Sequence, residues 1–251
     1  MPEYAGHAEE IVELEVEARG LLNVSLSRRQ LQAFEVYAGL LIDWNARSNL
    51  TAITKPGDIA VKHFLDSLTC LLAMGTSPNA GRLIDVGSGA GFPGLPIKIA
   101  CPQLRVTLVE STRKKVEFCQ RVVENLGLKD VEVIHGRGEE VGHWDTHREA
   151  YDWAVARAVA TLPVLVEYLL PFARVGGLAI AQKGETGLAE AHAAEAGLRI
   201  LGGRIRQLVP VHLPRVAETR YLVVMEKEAA TPLDYARRPG IPAKRPLGSV
   251  D

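Results

Sequence analysis

The 251-residue sequence predicts an α/β protein built on a seven-stranded, mostly parallel sheet with an antiparallel last strand, preceded by N-terminal helices. Three observations carry this expectation. Short β-branched runs at 82–87, 105–110, 131–135, 151–157 and 177–182 alternate with helical stretches at 94–100, 112–126, 162–173 and 185–196, the pattern of repeated βαβ units. Two further strand-like runs, 203–213 and 219–227, are joined by the short turn LPRVAE with no helix between them, so they pair antiparallel at a sheet edge. From about residue 6 to 73, apolar residues recur at helical spacing instead, as in Leu31, Phe34, Tyr37, Ala38 and Leu41.

Taken in order, the first region reads as three helices, with Ser27 placed to cap the second. Its opening is acidic: residues 1–20 hold six glutamates against Arg19, so the remainder of a chain with overall net charge −1 is positive. A global charge near zero therefore does not exclude a nucleic-acid partner. The helical region is expected to span 1–78, the sheet core 79–228 and a basic, proline-rich tail 229–251, which lacks apolar periodicity and reads as irregular. No apolar run approaches the ~20 residues of a membrane span, and the acidic start does not resemble a signal peptide. A cytoplasmic chain with no membrane association is expected. Cys70, Cys101 and Cys119 are widely spaced and read as buried free thiols, and His143 and His147 lack a third ligand, so no metal is expected.

The first strand runs directly into Gly87-Ser88-Gly89-Ala90-Gly91, with the next helix starting near Pro93 or Gly94. Glycines there let a ligand approach the backbone, and a helix N-terminus favours an anionic group. The segment Gly89-x-Gly91-x-x-Gly94 also fits the dinucleotide pattern GxGxxG, so an NAD-dependent oxidoreductase competes with an S-adenosylmethionine-dependent methyltransferase. Methyl transfer is favoured by Phe92 in place of a glycine, by Asp85 two residues before Gly87, and by Pro93 and Pro96, which lack N–H groups for a diphosphate. Glu110, at the end of the second strand, is placed to accept hydrogen bonds from both ribose hydroxyls or to cap the following helix. Gly138 and Glu139, after the third strand, can reach the adenine. The chain is thus expected to be a Rossmann-like class I S-adenosylmethionine-dependent methyltransferase.

Arg157-Ala158-Val159-Ala160 follows the fourth strand where amino-group methyltransferases carry [DN]PPY, so a general base is not expected and catalysis falls to positioning by Arg157 and Lys183. Arg157 can pair with the cofactor carboxylate or hydrogen-bond the substrate beside it. For RNA phosphates the candidates are Arg113, Lys114, Lys115, Lys183, Arg237, Arg238, Lys244 and Arg245, about half of which are expected to make contact. Trp44, Asn45, Asn49 and His63 can close over the cofactor, and Trp44 is equally placed for the core.

The segments WNARSNLTAI (44–53), HFLDSL (63–68), DVGSGAGFPGLP (85–96), ARAVA (156–160), QKG (182–184) and YARRPGIPAKRPLG (235–248) together resemble the bacterial ribosomal RNA small subunit methyltransferase G family, also called glucose-inhibited division protein B. The resemblance covers nearly all of the chain after about residue 25. It implies methylation of guanine N7 at position 527 of 16S ribosomal RNA, with S-adenosylmethionine as donor. It also implies cofactor contacts at Gly87, Phe92, Glu110, Ser111, Thr112, Gly138, Glu139 and Arg157, joined by Gly89 from the loop itself. Gly138 departs from the alanine of many relatives, and the acidic extension has no clear counterpart. The partner implied is 16S ribosomal RNA or the small subunit, met by a monomer. A non-catalytic RNA-binding module and a methyltransferase for another RNA position stay open as alternatives.

Overall fold

The computed structural model describes residues 8–75 and 78–248. Helix α1 covers Ala8–Leu22 and α2 covers Arg28–Ser48. Ser27 caps α2 as expected: its side chain accepts from the Gln30 N–H, and the Gln30 side chain accepts the Ser27 N–H at 2.8 Å. Gln30 Nε2 also donates to the carbonyls of Ile99 and Ala100 at 2.9 and 2.8 Å, which ties the start of α2 to the sheet region. The third helical stretch is composite. It comprises α3 (Pro56–Ile59), a π-helical turn (Ala60–Leu65), α4 (Asp66–Leu68) and α5 (Leu71–Met74).

The remaining elements are β1 (Arg82–Val86), α6 (Gly94–Ala100), β2 (Arg105–Glu110), α7 (Arg113–Leu126), β3 (Val131–His135), α8 (Gly138–Val141) and β4 (Tyr151–Arg157). They continue through α9 (Leu162–Leu169), β5 (Ala173–Lys183), α10 (Gly187–Ile200), β6 (Gly203–Val211), β7 (Arg220–Lys227) and α11 (Ile241–Lys244). The sheet order is β3-β2-β1-β4-β5-β7-β6. Strands β1 to β5 pair parallel, and β7 lies antiparallel between β5 and β6, as the helix-free connection required. Pro210 sits in β6, an edge strand, where its missing N–H costs no ladder bond on the solvent side.

Strand β5 starts earlier than its β-branched run. Tyr151 pairs with Ala173 and Trp153 with Leu178, so a bulge absorbs residues around Gly176-Gly177. Two glycines erase the alternation that marks a strand in sequence, which is why this start was not legible.

Each sheet face has its own core. On one, α1, α2 and the 56–74 stretch share apolar contacts with α6 and α7, among them Phe34, Tyr37, Phe64, Leu95 and Phe118. On the other, α9 and α10 cover Ile84, Ala154, Ala179 and Val223, and Leu247 from the tail joins them. Helices on both faces explain the near-continuous burial along β1 and β2. Part of the acidic N-terminus also has a partner, since Glu13 pairs with Arg215 in the β6–β7 turn at 2.8 Å.

Candidate cofactor and substrate site

The strand order reverses between β1 and β4, and open α/β sheets bind ligands at the carboxyl ends beside such a switch. The glycine loop 87–94 stands there. Gly87 has φ of 75°, and a Cβ on it would lie 2.7 Å from Val159, so this position admits glycine alone. Gly89 has φ of 60°, and a Cβ there would meet nothing within 4 Å, which leaves the backbone open to a ligand. Glu110, at the end of β2, locks the loop: its Oε2 accepts the Gly89 N–H at 2.9 Å and its Oε1 the Thr112 N–H at 2.7 Å. The carboxylate thus steadies the entry to α7 while each oxygen keeps a lone pair for a hydroxyl. Ser111 is exposed and Thr112 half-buried beside it.

Asp85 is fully buried beneath the loop. Its Oδ2 accepts the Gly94 N–H at 2.8 Å, while Oδ1 has no partner among the described residues. Burial pushes its carboxyl up to about 7, against the lowering effects of the Gly94 N–H and Arg157. A raised folded-state value means the native protein keeps a proton that the unfolded chain has released. The group's contribution is therefore full below about pH 4 and is lost as pH rises through about 7. Asp85→Asn is expected to flatten the decline in stability of the ligand-free protein across that window, read from denaturant unfolding at a series of pH values. A decline as steep in the variant as in the parent protein would assign it to another group.

The Phe92 side chain is buried. Its ring stacks on His63 at 4.4 Å and on Tyr37 at 5.4 Å, with the Arg157 guanidinium 4.9 Å from its centroid. Tyr37 also donates to the Ala90 carbonyl at 2.5 Å, so the loop is fastened to the N-terminal helices from two sides. Arg157, at the end of β4, pairs with Asp66 at 2.8 Å and donates to the Lys62 and His63 carbonyls and to His63 Nδ1. Burial, then Arg157, pushes His63 down to about 3, so its ring stays neutral and can accept from the arginine. The π-helical turn carries His63 into this cluster; such turns recur at functional sites. Of the other residues expected to close over the cofactor, Trp44 packs edge-on against Phe118 at 5.6 Å, Asn45 accepts the Thr51 N–H, and Asn49 ends α2 in a left-handed conformation.

Several residues expected to bind ligand have partners within the fold. Glu139 is buried, and its Oε1 accepts the Gly240 N–H at 3.2 Å, so its carboxylate faces the tail; Gly138 keeps its close approach to Val86. Lys183 does not stand free for a phosphate: it pairs with Glu190 at 2.7 Å and donates to the Ala160 carbonyl at 2.9 Å. Arg237 likewise forks onto the fully buried Glu167. Lys183 meets a half-buried carboxylate and Arg237 a fully buried one, and sequence spacing reveals neither. Arg113, exposed, pairs with Glu117, and Lys114 donates to the Ser48 carbonyl. Arg238, Lys244 and Arg245 are exposed and Lys115 is half-buried. His143 donates to the Ala236 carbonyl at 2.6 Å and His147 hydrogen-bonds Tyr151 at 2.5 Å, so both serve packing. A cavity of about 400 Å³ lined by Gly81, Trp153, Arg174 and Arg206 lies at the opposite, amino-terminal rim of the sheet, away from this cluster.

The sheet order, the antiparallel β7 and the loop locked by a β2 carboxylate define a Rossmann-like S-adenosylmethionine-dependent methyltransferase. Among solved structures, a SAM-dependent methyltransferase from Aquifex aeolicus shares this fold with a TM-score of 0.53 and 19% identity, over 71% of this chain and 97% of that one. The family model for rRNA small subunit methyltransferase G matches residues 30–218, and this chain belongs to that family. Relatives named ribosomal RNA small subunit methyltransferase G include one from Roseiflexus castenholzii, 51% identical over 88% of this chain and 94% of its own length. Another, from Alkaliphilus metalliredigens, is 46% identical over 90% of this chain and 94% of its own.

Proposed function

We propose that the chain methylates N7 of guanine 527 in 16S ribosomal RNA, as free RNA or within the small subunit, acting as a cytoplasmic monomer with S-adenosylmethionine as donor. The observation that carries the reading is the loop between β1 and α6, open at Gly89 and locked by Glu110, in a chain of this family. The residues fit the donor. Glu110 offers acceptors to its ribose, the Gly89 backbone lets it approach, and the unpartnered Asp85 Oδ1 is an acceptor for an ammonium group. When bound, the donor supplies an electrophilic methyl group on a sulfonium.

Guanine N7 carries an unprotonated lone pair, so an in-line displacement needs no proton removed. The chain's task is then to orient the base and to exclude water. The segment after β4 suits that task. Ala158 adopts a left-handed φ of 54°, Val159 lies against Gly87 while remaining 36% exposed, and Lys183 holds the Ala160 carbonyl. Val159 offers an apolar surface beside the glycine loop, and Arg157 is held at the same strand end, with Lys183 positioning the segment instead of meeting RNA. Arg238, Lys244 and Arg245 of the tail, with Lys115 near the loop, supply phosphate contacts.

The test is methyl incorporation from labelled S-adenosylmethionine into small subunits and naked 16S RNA, followed by mapping of the modified base. Modification at guanine 527 N7 is expected. A methyl group on an adenine or a ribose would overturn the target, and saturable NAD binding without S-adenosylmethionine binding would overturn the reaction class.

A further inference from the structure

We infer that Glu167 is a positioning residue for RNA: through Arg237 it holds the proline-rich tail docked so that Arg238 and Lys244 form a preordered phosphate contact. The inference rests on the reading that the tail meets RNA.

Among the described residues α11 is the tail's one regular element, yet the tail is fastened at every few residues. Arg148 donates to the carbonyls of Thr231, Pro232 and Tyr235 at 2.6 to 3.0 Å. His143 holds the Ala236 carbonyl and Glu139 the Gly240 N–H. At the centre stands Glu167 on α9, fully buried. It accepts the Arg237 backbone N–H at 2.6 Å and takes the guanidinium in a two-pronged contact, Nε at 2.9 Å and Nη2 at 2.6 Å. Arg237 Nη2 then donates to the Arg245 carbonyl at 2.8 Å, which closes the segment between them into a loop.

Arg238, Lys244 and the Arg245 side chain point from this loop into solvent, and no ion pair engages them among the described residues. A carboxylate therefore spends its charge beneath a cluster of cations without neutralising the ones outside. An irregular tail would otherwise lose its conformational freedom on binding RNA, and docking it beforehand removes that cost.

The sign of one substitution separates positioning from direct contact. Glu167→Gln removes a negative charge, so if Arg237 were itself a phosphate ligand the change would free it and strengthen RNA binding. If Glu167 positions the tail, KM for 16S RNA should rise about tenfold as the ordering cost returns. The salt dependence should lose a slope of about 2, one for each cation displaced. S-adenosylmethionine affinity and kcat at saturating RNA should stay within about twofold, since neither depends on the tail in this scheme. Arg237→Met should act in the same direction, and if the glutamine variant fails to fold its salt slope keeps the roles apart: a loss of about 2 for a displaced tail, against about 1 for removal of a single phosphate-contacting arginine. An unchanged or lower KM in the variants overturns the inference. A double change, Arg238→Ala with Lys244→Ala, separates the two levels. If it leaves KM for RNA unaltered, the reading that the tail meets RNA falls; if it raises KM while the Glu167 and Arg237 variants do not, only the positioning role falls.

Discussion

Glu110→Ala should weaken S-adenosylmethionine binding by about a hundredfold, the largest expected effect of any single change on the cofactor. The carboxylate has two tasks that fail together. It accepts the Gly89 and Thr112 N–H groups at 2.9 and 2.7 Å, which sets the conformation of the loop and the entry to α7, and in the proposed function its remaining lone pairs accept the ribose hydroxyls. Hydrogen bonds to a charged group contribute roughly 1.5–3 kcal/mol each, so losing two ribose contacts costs at least about 3 kcal/mol, or a hundredfold in Kd. Glu110→Gln keeps an acceptor for one N–H but turns a donor toward the other, so it should fall between. Titration calorimetry decides the matter: a loss of less than threefold for the alanine variant, with the fold intact, would remove Glu110 from the cofactor site.

Most of this fold was legible because the signals were local. Alternating strands and helices, the cap at Ser27 and the helix-free β6–β7 turn each depend on residues close in sequence. The glycine loop and Glu110 were legible for the same reason, as both follow directly from the ends of adjacent strands. What sequence could not disclose were pairings across the fold. Lys183 looked free until Glu190 was brought beside it by α10, and Arg237 looked free until α9 placed Glu167 beneath it. Nothing in the neighbourhood of Glu139 announces the Gly240 N–H that its carboxylate accepts from a segment a hundred residues later. The bare count of cations thus does not say which of them are paired within the fold. Where the carboxylates come to rest is a tertiary property, and it decides which arginines and lysines are paired.

The Arg157 cluster is the other place where one substitution should have a large effect. Asp66→Ala is expected to destabilise the protein by about 3–5 kcal/mol, the usual cost of leaving one member of a buried ion pair without its partner. Both members are shielded, with side-chain exposures of 12% for Arg157 and 4% for Asp66, so water cannot replace the lost carboxylate. His63 cannot compensate by changing its charge, since a proton there would face the guanidinium, and its Nδ1 already accepts from Arg157. Against a typical net stability of about 5–15 kcal/mol, this loss should be plain in urea unfolding at 25 °C. The double variant Asp66→Ala, Arg157→Met should recover part of it, because an apolar side chain of similar length removes the unpaired charge. A single-variant cost below about 1 kcal/mol, or a double variant no more stable than the single, would show that the Lys62 and His63 carbonyls alone satisfy the arginine. If the expected pattern is found, the link between the N-terminal helices and the strand end beside the glycine loop is energetic as well as geometric. Methyl transfer by the recovered double variant then isolates what the Arg157 guanidinium itself contributes to the reaction.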